Sequence, residues 1–574
     1  MKTWKQAVTS VTLSVALLTM SAPVWAADVN ASQTNTNRIQ SVDTYALTQS
    51  VHIEIKSLLN EPTGDGTRLG VVLRVSNTSN QLTRVPEYEL RIRTVEGVEY
   101  KLKGSAKNPA SIQPKSQLEL SYLTIIDQPD ELQLDSLQWV EVDEYVYPKK
   151  ETIMLNVPID SIASWKGSDT VITDQLALKK WGEVFSLSVF RSPIEYRTTD
   201  IHKEVDKNGP VTVVQIEAAN PSNERQTVPE FTLDGTTGNL VFNGVKAEGS
   251  ITLEPKEKKY LHILIPTDLD SELTALNVVT PEKFSSSTDE NTFYVGRLRI
   301  LLPSLDKEEK SIVPTYELGK PMELDPLNKR VHSSMEVALV ELNMNEIDED
   351  GFKTAIAKFK YTNKSDRPLP IPNFQTSLAS KDGYEYNGSK QATVAQKVVP
   401  NAAYTVSYSY AIPSSEQGKD LKISLYDQQV VDQISFLSPL AAYKVNAEPS
   451  IDNKKFKVYP YDINLKDWAV SANYSNGTYS YKVKVYLDIL QDKQVITDAT
   501  GSKLEFAAYD NLGRVLGSST QNLVGQNRLY NGANTISLNA ESEQLEYPLT
   551  IKVYEVFTNA NGELVKRFLT SFKN

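Results

Sequence analysis

Chemistry needs nucleophiles, proton carriers or metal ligands at workable spacing, and this chain is poor in all three. Its 574 residues include four histidines, His52, His202, His262 and His332, and no cysteine. The histidines lie far apart, and no pair has the His-x-x-x-His spacing that puts two imidazoles on one helix face for zinc. Each reads as a strand or loop residue; His262, alternating with Ile263, reads as a half-buried sheet residue. Absence of cysteine excludes a thiolate nucleophile and removes most structural zinc sets. Neither a Gly-x-Ser-x-Gly elbow nor a Gly-x-x-x-x-Gly-Lys-[Ser/Thr] phosphate loop occurs. A carboxylate pair for glycoside hydrolysis leaves no local signature among 72 acidic residues, and nothing local favours one. The expectation is a protein that is not an enzyme, with no catalytic residue and no cofactor.

Two local features could bind a ligand. The turn Glu346-Ile347-Asp348-Glu349-Asp350-Gly351 has acids at alternate places and a sixth-position glycine, as a calcium loop begins. Asp348 and Asp350 are its candidate ligands, but Ala357 occupies the twelfth place, where such a loop supplies a bidentate glutamate. A plain hairpin turn is the other reading. Near the C-terminus Tyr459, Tyr461, Trp468, Tyr474, Tyr479, Tyr481 and Tyr486 fall close together. Tyr479 and Tyr481 share one strand face, and with Trp468 they are candidates for stacking on sugar rings. Ordinary sheet packing by tyrosine is the alternative.

The elements that must position these groups are legible through a repeat. Val75-Ser76-Asn77, Ala218-Ala219-Asn220 and Tyr361-Thr362-Asn363 recur with 143 residues from each Asn to the next. Each Asn precedes a proline by nine residues (Pro86, Pro229, Pro372), and an aromatic follows two further on (Tyr88, Phe231, Phe374). A period near the usual domain length predicts a string of related domains. Strict alternation before each Asn, as in Val71, Leu73 and Val75 against Arg74 and Ser76, predicts half-buried strands. The opposite faces at the other two sites carry Gln215 and Glu217, and Lys358 and Lys360. The Asn is expected to close a turn in left-handed geometry. The Pro, having no N–H, fits the start of the next strand. Glu96-Gly97 and Asp382-Gly383 read as hairpin turns. Helix signals are sparse, with a helix or helical turn expected only over Asp174 to Val184.

These motifs, Asn-x-Ser, Pro-x-aromatic, Gly-x-x-Tyr (Gly97 to Tyr100, Gly383 to Tyr386) and an Ile/Leu/Val-x-Pro before an alternating strand, resemble the telokin-like, immunoglobulin-type domains of secreted Gram-positive bacterial proteins. The second repeat departs at its hairpin, where Thr237-Gly238-Asn239 stands. The resemblance implies an all-β chain, a tandem array of immunoglobulin-like β-sandwiches, and carries no general catalytic residues. The expected division is a signal peptide over 1–26, a leader over 27–44, sandwiches over 45–160, 161–303 and 304–446, and a divergent sandwich over 447–574.

The signal reading rests on Lys2 and Lys5, the apolar stretch Val8 to Met20, and Val24-Trp25-Ala26 before the cut. It predicts a secreted, extracellular or cell-wall-associated protein with no transmembrane span in the mature chain. The formal charge of −12 disfavours nucleic acid as a partner. The expected function is a non-catalytic spacer or interaction scaffold meeting an unknown protein or a cell-wall glycan. The alternative is polysaccharide binding through the aromatic-rich C-terminal domain.

Overall fold

The computed structural model describes residues 43–573, apart from 129, 169, 207–208, 239, 287–289, 304–312, 347–351, 432–433, 450 and 526. Alternating strands dominate it, and they form four β-sandwiches in chain order. In sandwich one, Val51–Thr63, Gly66–Asn77 and Gln117–Ile126 make the central part of one sheet. The facing sheet runs Lys150–Pro158, Leu134–Asp143, Glu89–Thr94, Glu99–Lys101. Sandwiches two and three repeat this order, from Glu195–Asp206 to Glu290–Leu301 and from Met335–Glu346 to Ile434–Val445.

The C-terminal sandwich has the same plan. Tyr461–Ser475, Thr478–Gln491 and Gly532–Ser542 form one sheet with Lys455–Val458. Val515–Gln521, Lys503–Tyr509, Thr550–Thr558 and Leu564–Lys573 form the other. Two β-bulges tie all four together. The first long strand carries an extra residue at Lys56, Thr199, Val340 and Lys466. The last carries one at Met154, Arg297, Leu440 and Leu569. A bulge bends its strand and re-aims side chains, so its recurrence at matched register marks a shared design.

Each sandwich encloses its own core, because alternating apolar residues from both sheets meet between them. Val71, Leu73 and Val75 pack with Leu137 and Trp139 in sandwich one. Phe359, Tyr361, Phe374, Tyr408 and Tyr410 fill sandwich three. The Asn residues of the repeat are buried, 2%, 1% and 0% exposed at Asn77, Asn220 and Asn363. None of them is left-handed. In these paired loops the left-handed positions are Lys115, Lys256 and Asn401, just after the prolines of the facing loop, with φ of 53°, 64° and 56°. Each Asn instead bridges two loops. The Asn363 amide donates to Arg367 O (2.7 Å) and Val398 O (2.9 Å), and its oxygen accepts from the Ser365 amide (2.8 Å) and hydroxyl (2.7 Å). Asn77 and Asn220 make the same set with Gln81, Ile112 and Ser79, and with Glu224, Leu253 and Ser222. Pro86, Pro229 and Pro372 lie outside the ladders, just before Glu89–Thr94, Thr232–Thr237 and Gln375–Ala379. There the chain crosses between sheets and a missing N–H leaves no ladder bond unmade.

The segment from Asp174 to Val184 is not helical. Asp174 closes a turn through Leu176 N and Ala177 N, and Leu178–Lys180 then pairs in parallel with Arg299–Leu301. Sheet-edge pairing satisfies this backbone and overrides a weak local helix preference.

Candidate functional site

The residues singled out from sequence do not converge. Tyr481 is 1% exposed, inside the core of sandwich four, and its hydroxyl accepts from Glu546 N at 2.9 Å. The face shared by Tyr479 and Tyr481 is therefore the inner face, and Tyr481 is not a surface ring. Tyr479 packs at the edge of that core against Tyr474, with ring centroids 4.8 Å apart. Trp468 is half-buried, donating Nε1–H to Lys573 O at 3.0 Å and lying under the Lys454 ammonium. Three rings so committed do not form a flat platform for sugar. Asp348 and Asp350 lie outside the described residues. Among the described residues no group of three or more histidine, aspartate or glutamate side chains is placed to hold a metal ion, and no helix is long and apolar enough to cross a membrane.

What the fold does bring together lies between sandwiches. Three small apolar clusters stand apart from the four cores, one at each joint. Leu59, Val72 and Leu123 of sandwich one meet Phe284, Phe293 and Val295 of sandwich two, with Trp165 of the connecting segment. Val211, Val213, Ala247 and Leu264 of sandwich two meet Phe436 of sandwich three. Ile356 of sandwich three meets Phe557 and Val565 of sandwich four. The docking mode is the same each time. The outer face of the sheet bearing the first long strand is covered by the last two strands of the next sandwich.

Buried charges surround the outer two clusters. At the first joint the Lys56 ammonium lies 2.8 Å from Glu119 and 3.0 Å from Glu282. Arg297 reaches Glu282 at 2.7 Å and the Ser57 hydroxyl at 2.6 Å. Arg74 pairs with Glu54 at 2.9 Å and donates to Val189 O at 2.6 Å, and Arg191 also pairs with Glu54. The Trp165 indole lies against Gly296, where a Cβ would stand 2.2 Å from the ring. A cleft of about 680 Å³ opens beside this joint, lined by Ile162, Ile172, Lys56 and Arg297, whose donors are turned to the joint's own carboxylates and hydroxyl.

At the third joint Lys358 lies 2.9 Å from Glu341 and 2.6 Å from Glu555, while Arg567 holds Glu555 through Nε at 2.7 Å. Burial raises the Glu555 carboxyl, but Arg567 and Lys358 outweigh it and hold it down at about 2. Backbone pairing reinforces this joint: Val495–Ile496 adds in parallel to Ala403 and Tyr404.

The second joint uses histidine. His202 stands between Asp200 (Nδ1, 2.6 Å) and Glu204 (Nε2, 2.7 Å), and Glu204 accepts the Leu437 amide of sandwich three at 2.6 Å. His262 contacts Glu248 at 2.6 Å and Gln215 at 3.1 Å, and Gln215 accepts the Ser438 hydroxyl at 2.9 Å. Burial lowers the His202 imidazole, but the two carboxylates outweigh that and carry it up to about 9. His332 is an exposed turn residue that accepts from Ser334 N at 3.1 Å.

The two end faces differ from the docked ones. Counted from the second bulge, the apolar anchors Phe293, Phe436 and Val565 occupy one register position. In sandwich one that position is Lys150, opposite Asp143, and it is exposed. Counted from the first bulge, Val213 and Ile356 share a position, which sandwich four fills with exposed Lys484. Among the described residues neither of these two faces is covered by another sandwich, and each carries a lysine where a docked face carries an apolar side chain.

Sequence alternation missed the joints because it assigned Lys358, Gln215 and Arg74 to solvent. The available signal was the unbroken apolar run beside them, Val71-Val72-Leu73, Val213-Val214 and Ala355-Ile356-Ala357. Such a run marks a strand covered on both faces.

No family model and no curated protein matches this chain. Among solved structures, an uncharacterized β-sandwich protein from Clostridium difficile is similar at 11% identity over 23% of this chain and 97% of its own, TM-score 0.15. A Porphyromonas gingivalis protein of unknown function is similar at 14% identity over 45% of this chain and 100% of its own, TM-score 0.14. Dimeric latent PorU from Porphyromonas gingivalis aligns at 10% identity over 67% of this chain and 34% of its own, TM-score 0.12.

Proposed function

We propose that this protein is a non-catalytic scaffold, secreted or held at the cell envelope, whose four sandwiches act as one spacer of fixed geometry. The supporting observation is that every joint has its own buried apolar cluster, with buried charged or hydrogen-bonded partners around it. Domains joined by open linkers bend, whereas packed and desolvated joints transmit shape. The reading also takes the sandwiches as immunoglobulin-like, on the strength of the motif resemblance, and the export on residues 1–26. A pair of dyes at cysteines introduced at Glu96 and Asn561 tests the spacer: a single narrow transfer distribution supports it, and a broad one contradicts it.

A second reading is polysaccharide binding by sandwich four. Tyr474 and Tyr486, 61% and 37% exposed, favour it, since they lie on strands of the undocked sheet. Retention on purified cell-wall polysaccharide that drops in a Tyr474→Ala, Tyr486→Ala variant supports it, and undiminished or absent retention rejects it.

A further inference from the structure

We propose that the second joint is a pH-responsive latch, in which a protonated His202 holds Asp200 and Glu204 so that Glu204 receives the Leu437 amide of sandwich three. Losing that proton opens this joint and leaves the other two closed.

The geometry carries the argument. Both ring nitrogens of His202 face carboxylate oxygens, at 2.6 and 2.7 Å. Only the doubly protonated ring can donate to both. A neutral ring donates to one and turns a lone pair toward the other, which leaves two carboxylates unneutralised in a half-buried seam. Glu204 is also the acceptor for Leu437 N, so its displacement removes a bond that crosses between sandwiches.

Among the described residues the surrounding groups do not supply a replacement cation. On the same strand, Lys203 turns its ammonium onto the carbonyls of Leu269 and Ser271. The adjacent strand presents Val213 opposite His202, then neutral Gln215; Glu217 further along is held by Arg197 and Lys258. The third strand brings His262, paired with Glu248. From sandwich three, Tyr426 has a phenol raised by burial, and Asp427 is held by Arg330. The first and third joints rest on Lys56, Arg74, Arg297, Lys358 and Arg567. Among the described residues neither of these joints sets a histidine between its carboxylates, so neither holds the group on which the latch depends.

The sign follows from linkage. A histidine whose pKa is raised on folding, from the ordinary 6.5 to about 9, contributes its full stabilisation below pH 6.5. That contribution fades as pH rises through about 9.

The chain has no cysteine, so introduced ones take dyes cleanly. The exposed sites Asn223 and Lys381, each changed to Cys, report on the second joint; Glu96 and Asn223, likewise changed, report on the first. Titration from pH 6.5 to 10 is expected to give one step in energy transfer near pH 9 for the second pair and none for the first. His202→Lys, which keeps a cation, should move the step upward past pH 10, and His202→Gln should give the opened value already at pH 6.5. A flat titration across the second joint, the same step across both joints, or an unmoved step in His202→Lys would overturn the proposal.

Discussion

Lys56 and Arg297 belong to different sandwiches, each is the extra residue of a β-bulge, and both bind one carboxylate, Glu282, at 3.0 and 2.7 Å. Two bulges, features that bend strands within a sheet, here aim charges across a joint. The recurring fold thus supplies the positions from which a joint is built, while the residues placed there differ from joint to joint.

Removing the shared acid should expose that arrangement. Glu282→Ala leaves Arg297 without its carboxylate and Lys56 with Glu119 alone, in a seam where the Lys56 side chain is only 5% exposed. Breaking a buried pair from one side costs about 3–5 kcal/mol. Differential scanning calorimetry should show earlier unfolding of the first two sandwiches. Replacing all three residues by apolar ones of similar size should recover much of the loss. No change in Glu282→Ala would mean that the charges are solvated.

The third joint should yield to acid. Glu555 has its pKa depressed to about 2 against an ordinary 4.5, so its contribution is complete above pH 4.5 and is lost as pH falls through about 2. The full contribution is roughly 3 kcal/mol from a shift of this size. Hydrogen exchange should show strands Phe352–Asn363 and Leu564–Lys573 losing protection together below pH 4.5. Glu555→Gln should remove most of that acid sensitivity.

Asn363→Ala should destabilise sandwich three by about 2–4 kcal/mol, since it strips buried carbonyls of their donor. Asn363→Asp should be no better, because a carboxylate would face the carbonyls of Arg367 and Val398. Chemical denaturation checks both. Equal stability to the parent would remove the bridging role assigned to this amide.

Much of the fold was readable from the 143-residue spacing and from period-two alternation. Those signals report the inner faces of strands, where the physics is the same in each repeat. The Asn was legible as a loop closer, but not its buried bonds to a second loop 35 residues on. Tyr481 was misread although its own strand carried the signal: Tyr481, Val483, Val485 and Leu487 alternate with Lys482 and Lys484, which puts Tyr481 on the apolar, inner face. The joints were hidden for a different reason. Lys358 and Glu341 look like solvent-facing residues until another sandwich covers them.

Lys150 and Lys484 should keep separate copies of the chain apart. A Lys150→Phe, Lys484→Ile variant places an apolar anchor on both of these faces and should self-associate head to tail. Sedimentation should find monomers for the parent and a concentration-dependent ladder for the variant. A parent that already polymerises would contradict the capping role of these lysines.

The most direct test of a fixed spacer is the distance distribution across all three joints, read by pulsed dipolar spectroscopy from spin labels at Glu96→Cys and Asn561→Cys. One narrow peak at neutral pH is the predicted result. A broad distribution in the parent chain, with every sandwich still folded, would contradict the claim that the joints are locked.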